Sequence, residues 1–239
     1  MIVEAKDLAH ALAAASRVIA KRPLYPILNN VLLEADRQMA IRATDLEMQL
    51  ILSLACETKG PGRMLPPVAV LAGLTPKLSG QVELGGDGDK GWLKWDGGQV
   101  SVPLADLESY PAPLEVAEAI PVPVDISKPV QYVVPFADHD AGLQPIFGGV
   151  YVEAGDGKLA VVATDTHRMG VWEQDHEGEE IRAIIPAKAW DTAVKLGAKR
   201  LFVSKDAARF EGDGVELTVR QIAGKYPNWR TVWPSELPT

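Results

Sequence analysis

Asp165 and His167 alternate along Thr164-Asp165-Thr166-His167-Arg168-Met169, and an acid beside an imidazole is where general acid–base chemistry begins. Nothing completes the set. No serine or cysteine nucleophile is linked to the pair by a known motif. Gly85-Gly86-Asp87-Gly88-Asp89 has the look of a cation loop, but it lacks the spacing and terminal glutamate of an EF-hand. There is no phosphate-cradling glycine loop, dinucleotide fingerprint or zinc signature. Cys56 is the only cysteine, which rules out an internal disulfide and a cysteine-rich metal centre. Within the alternating run Leu50 to Cys56 it reads as a small buried apolar residue. These residues predict a protein that is not an enzyme and needs no metal or cofactor.

The second chemistry on offer is charge. The formal net charge is -8, which taken alone disfavours a phosphate-rich partner. Its distribution reverses that reading. The windows 6–22, 66–79, 126–139 and 186–200, each with a helical pattern, hold Lys6, Arg17, Lys21, Arg22, Lys77, Lys128, Lys188, Lys195, Lys199 and Arg200. Against those bases stand only Asp7, Asp138 and Asp191, so the windows sum to +7 and the rest of the chain carries -15. In a single helix such bases are ordinary surface side chains whose stems cover apolar neighbours. Four equivalent helices that share the bias predict one basic face turned toward phosphate. Sparse lysines backed by alanine, with no helix-turn-helix pair or zinc finger, fit phosphate contacts without base readout.

The elements that must present these groups occur twice. Pro26-Ile27-Leu28-Asn29-Asn30-Val31-Leu32-Leu33-Glu34-Ala35 is matched by Pro145-Ile146-Phe147-Gly148-Gly149-Val150-Tyr151-Val152-Glu153-Ala154. Ala40-Ile41-Arg42-Ala43-Thr44-Asp45 returns as Ala160-Val161-Val162-Ala163-Thr164-Asp165, and Tyr110-Pro111 as Tyr226-Pro227. Matches in this order predict a duplication, with domains at 1–115 and 124–239. Prolines at alternate positions make 116–123 an extended, semi-rigid connector.

Each copy opens with a helix candidate. Leu8, Leu12, Ala15, Val18 and Ile19 recur at helical spacing in the first, and Pro23 stops it. The matching stretch Ser127 to Asp140 contains Pro129 and Pro135 and predicts irregular geometry. Hairpins follow around Asp36-Arg37 and around Gly155-Asp156-Gly157. Second helices are expected over 67–78, cut short by Pro76, and over 186–196. Further strands close each copy. The layering predicted is α+β, with two helices covering one face of an antiparallel sheet in each domain. No apolar run approaches 18 residues and no signal peptide is evident, so a cytoplasmic protein without a membrane partner is expected.

Two sets of residues resemble a known family. Arg22-Pro23-Leu24-Tyr25-Pro26-Ile27-Leu28-Asn29-Asn30-Val31 and Ala43-Thr44-Asp45-Leu46-Glu47-Met48 resemble the first domain of the bacterial sliding clamps, the DNA polymerase III beta subunits. Val162-Ala163-Thr164-Asp165-Thr166-His167-Arg168-Met169, Lys225-Tyr226-Pro227-Asn228-Trp229-Arg230 and Val232-Trp233-Pro234 resemble the second. The resemblance implies a ring of six similar domains, sheets outside and helices lining a hole around double-stranded DNA, that keeps a DNA polymerase processive without reading sequence. It implies a DNA-facing role for Arg22. It also implies a groove for short peptides of DNA polymerase, clamp loader and other clamp-binding-motif proteins, at Phe147, Thr164, His167, Arg168, Met169 and Pro234.

Two departures stand out. Thr166 takes a position where the family usually has glycine, and two domains stand where bacterial chains usually have three, the third supplying the other groove wall. Three two-domain copies supply six domains, so a homotrimer is expected over a dimer. The alternative is a protein-binding scaffold of the same fold that never encircles DNA. The resemblance places the protein at the nucleoid, or in a host cytoplasm if the gene is viral.

Overall fold

The computed structural model describes residues 1–233 apart from His139, Ala141 and Leu143. The first half runs β1 (Ile2–Glu4), α1 (Ala5–Val18), β2 (Leu32–Ala35), β3 (Gln38–Thr44), β4 (Met48–Ala55), β5 (Gly62–Met64), α2 (Val68–Leu74), β6 (Gln81–Asp87), β7 (Lys90–Trp95) and β8 (Gly98–Pro103). The second half repeats that order as β9 (Ile120–Val122), α3 (Ser127–Tyr132), β10 (Gly149–Gly155), β11 (Lys158–Thr164), β12 (Met169–Asp175), β13 (Ile181–Pro186), α4 (Ala187–Lys195), β14 (Ala198–Val203), β15 (Ala207–Gly212) and β16 (Val215–Arg220). The two halves are similar α+β domains.

Helix formation follows the apolar spacing. In α1, Ala5, Leu8, Ala11, Leu12, Ala15 and Val18 are buried and Lys6, His10 and Arg17 are exposed. Pro76 ends α2 early, in a 3₁₀ turn over Thr75–Lys77. The expected irregularity between Ser127 and Asp140 takes the form of the short α3 and a separate 3₁₀ turn at Val134–Phe136, which begins beside Pro135. One expectation shifts. Ile120–Val122 pairs with β14 as the opening strand of the second domain, so the connector ends sooner than predicted. Pro121 is tolerated within it because β9 is an edge strand.

The strands form three antiparallel sheets, ordered β1-β6-β7-β8, β12-β11-β10-β13 and β5-β2-β3-β4-β16-β15-β14-β9. The eight-stranded sheet is continuous from one domain into the other, joined at β4 and β16 with Leu50 opposite Leu217. Along one row across this seam, Ala43, Leu50, Leu217 and Phe210 are directly paired, so they share a face. They belong to the same buried core as Leu12 of α1 and Trp190 of α4, and Trp190 meets Phe210 edge-on at 5.3 Å. Both helices therefore cover one face of the shared sheet, with α2 packed on α1 and α3 on α4. On the opposite face Tyr110 donates to the carbonyl of Arg42 at 3.1 Å, so the connector leaves along the side away from the helices.

Candidate functional site

The first candidate is the basic helical layer. All ten bases are exposed. Lys6, Arg17, Lys21, Arg22, Lys77, Lys128 and Lys195 have no acidic partner within ion-pair distance among the described residues. They occupy α1 and the loop after it, the turn after α2, α3 and α4. Lys188 on α4 stands 3.9 Å from Asp45 across the domain seam.

Lys199 and Arg200 are corrected. They lie on β14 and not on α4, because Gly197 takes φ +81° and turns the chain out of the helix. Lys199 is 3.2 Å from Asp213 and Arg200 is 3.0 Å from Glu211. Leu201 points into the core, while Arg200 sits over the ring of Phe202 on the other side of the strand. Arg200 thus belongs to the face away from the helices.

The second candidate is a cavity of about 590 Å³ in the second domain. Phe147, Thr164, His167, Arg168 and Met169 all line it, joined by Tyr226 and by Val232 and Trp233 from the segment after β16. Pro234, the remaining expected member, lies outside the described residues. Tyr226 forms the floor, stacked on Tyr151 at 4.7 Å and edge-on to Phe147 at 6.3 Å. Burial holds its phenol above the ordinary tyrosine range. Trp229 meets Trp233 edge-on at 6.4 Å, and Glu153 anchors this wall by accepting from Trp229 Nε1 and from Arg230. In the first domain the equivalent segment closes down, with Leu114 N donating to Gln49 Oε1. Met169 replaces Gln49 in the repeat and cannot accept such a bond, and here the cavity is open.

One wall is the turn between β11 and β12. Thr164 Oγ1 donates to Arg168 O at 2.8 Å and accepts from Thr166 N, so the threonine caps the turn as expected of a Thr-Asp pair. Asp165 accepts from the backbone of His167 and Arg168 and from Arg168 Nε at 2.9 Å. The hydrogen bond from the Arg168 side chain leads the effects that draw the Asp165 carboxyl down to about 2. The guanidinium also donates to Pro135 O and lies over Phe136. Arg168 is thereby anchored within the turn, and the groove takes its polarity from it, from threonine and from the exposed His167.

Thr166 sits at φ +74°, as its repeat Leu46 does at +80°. A β-branched residue is disfavoured there, which accounts for glycine at this position in the resembled family. Thr166→Gly is expected to stabilise the chain by about 0.5–1 kcal/mol, the relief of strain exceeding the added unfolded-state entropy. The urea unfolding midpoint measures it; a lower midpoint would mean that the threonine side chain stabilises the turn by more than its strain costs.

Two models of one subunit match this chain in order. The N-terminal domain of the DNA polymerase III beta subunit matches residues 1–113, and its central domain matches residues 122–228. The chain belongs to the DNA polymerase III beta-subunit family. A beta sliding clamp of Streptomyces coelicolor is 29% identical over 251 residues, covering 98% of this chain and 66% of that protein. The solved pol III beta of Caulobacter crescentus superposes with a TM-score of 0.87 at 26% identity, over 98% of this chain and 69% of that one. A Helicobacter pylori beta clamp bound to a DNA ligase peptide gives 0.88 at 19% identity, over 99% and 70%. This chain therefore spans about two thirds of the length of these beta-subunit relatives.

Sequence reasoning missed Tyr226, Trp229, Val232 and Trp233 as groove residues in this family member. The signal was the aromatic density of Tyr226-Pro227-Asn228-Trp229-Arg230-Thr231-Val232-Trp233 after the last strand, where no strand pairing calls for it.

Proposed function

We propose that this protein is a sliding clamp, a processivity factor that encircles duplex DNA through its basic helical layer and carries partner proteins on the groove of its second domain. The observation that carries the reading is the division of charge. Among the described residues seven of the eight bases of the helical layer stand without an acidic partner, Lys188 alone lying near Asp45, whereas Lys199 and Arg200, displaced onto β14, are each matched by an acid. Unpaired exposed bases on one layer are what a phosphate backbone requires of its binding surface. The proposed DNA-facing set is Lys6, Arg17, Lys21, Arg22, Lys77, Lys128, Lys188 and Lys195. The groove offers apolar walls with a few polar groups, suited to a short peptide of a polymerase or clamp loader. The peptide-bound Helicobacter pylori clamp adds support from a relative of the same fold.

Closure of the ring finds support in the repeat. The seam inside the chain pairs β4 with β16. Their equivalents, β12 and β8, are each an edge strand. The same pairing between copies would set Val171 opposite Gln99 of the next, as Ile51 stands opposite Glu216 within one. Such a head-to-tail joint covers both edges and closes by rotation. With two domains per copy, six domains make a homotrimer.

The test joins topology to mass. In a Cys56→Ser background, Val171→Cys with Gln99→Cys is expected to cross-link copies into a closed species of three times 25.8 kDa. That species should remain on sealed circular DNA and leave linear DNA with open ends. A two-copy product would overturn the trimer. Equal retention on both DNA forms would favour the scaffold that never encircles DNA.

A further inference from the structure

We infer that His10 is a further DNA contact, one that carries charge only while its ring is protonated; the inference rests on the DNA-facing reading of the helical layer. Its place in the sequence puts it in a row. Lys6, His10, Ala13 and Arg17 follow one another at steps of four, three and four residues, which keeps them on one face of a helix. All four are exposed, and the buried Leu8, Leu12 and Ala15 lie on the opposite side of α1. At about 1.5 Å of rise per residue the row is roughly 16 Å long. That length meets more than one phosphate, since these recur about every 3.4 Å along each strand of a duplex. His10 stands between the two permanent cations, and the small Ala13 leaves the space beside it open.

Nothing around His10 supplies it with a counter-charge. No ion pair holds it among the described residues. On α1 itself Lys6 and Asp7 flank it with opposite charges, and Arg17 lies two turns further on. The elements packed most closely on α1 are β1, β3, β4, α2 and the 3₁₀ turn Thr75–Lys77. Their charged side chains are Glu4, Arg42 and Lys77. Glu4 precedes the helix, and Lys77 is another member of the basic layer. Arg42 is buried against the ring of Tyr110, on the far face of the sheet. The other described histidines lie elsewhere, His167 in the groove and His176 beyond β12, where its Nε2 is 3.2 Å from Glu179 O.

Histidine is the side chain that ordinarily changes charge between about pH 5 and 8. A neutral imidazole can donate a hydrogen bond to phosphate but displaces no counterion, whereas an imidazolium does both. Phosphate attracts the protonated ring, so the contribution is full in acid and fades as the pH rises. Lys6 and Arg17 thus hold DNA throughout this range, and His10 fills the gap between them on acidification.

The test measures the slope of log affinity against log salt concentration for the whole chain on duplex DNA, at about pH 5.5 and about pH 8. The wild-type slope is expected to be steeper in acid by about 0.9, one phosphate's worth of counterion release. His10→Ala should remove that difference, and His10→Lys should give the acid slope at both pH values. A histidine with only a structural role would alter affinity and leave the pH dependence of the slope in place. No difference in the wild type, or one that persists in His10→Ala, would overturn the inference alone, provided that Lys6→Ala still lowers the slope. If Lys6→Ala and Arg17→Ala leave it untouched as well, the helical layer does not meet DNA, and the reading beneath the inference falls with it.

Discussion

Alanine at Lys6, Arg17 and Lys195 together lowers the slope of log affinity against log salt concentration by roughly 2.7, about 0.9 for each phosphate no longer neutralised. Arg200→Ala leaves the slope unchanged. The contrast rests on geometry. Lys6, Arg17 and Lys195 are exposed on α1 and α4 with no acid to neutralise them among the described residues. Arg200 lies across β14 from the core-facing Leu201, paired with Glu211. Titration of duplexes differing in sequence, at several salt concentrations, measures both variants. The loss should be the same for every sequence, since phosphate groups carry no base information. An Arg200 effect equal to that of Lys195 would mean that the sheet face, too, meets DNA.

Trp190→Ala is expected to cost about 3–5 kcal/mol, a large share of the stability of a domain this size. Trp190 is fully buried on α4 and joins that helix to the shared sheet through Phe210. Alanine would leave a cavity beneath the helix that presents Lys188 and Lys195. Trp190→Phe separates volume from polarity. It keeps an aromatic ring against Phe210 and removes the indole N–H, which is buried without a hydrogen-bond partner among the described residues. A cost below about 1.5 kcal/mol is expected for phenylalanine, because most of the buried volume is retained. Urea unfolding midpoints distinguish the pair. Equal losses for both would mean that the contribution of Trp190 depends on the full shape of the indole, which phenylalanine does not fill.

Much of the fold was legible because repetition and apolar spacing are local signals. The matched Thr44-Asp45 and Thr164-Asp165 turns, the stripe Leu8 to Val18 and the stop at Pro76 each became the element expected of them. Reading failed where a short signal competed with a longer one. Gly197 ends α4, yet the lysine and arginine just beyond it carried the helical window on to residue 200. The alternating prolines that promised a free connector also suit an edge strand, and β9 forms there. Groove residues around Thr164 were visible in their motif. Trp229 and Trp233 were not, because they reach the cavity from a segment some 60 residues away and only the fold brings the two together.

The unbroken run of strands from β5 to β9 bears on how this molecule can be divided. Met48–Ala55 is half-covered by its own hairpin and half by Val215–Arg220 of the other domain. A gene cut at the connector would yield a first half whose long apolar border, including Leu50 and Leu52, is stripped of its cover. Borders of that kind recruit foreign strands. Expressed singly, each half should therefore precipitate or swap partners, although each has the size and layering of an independent domain.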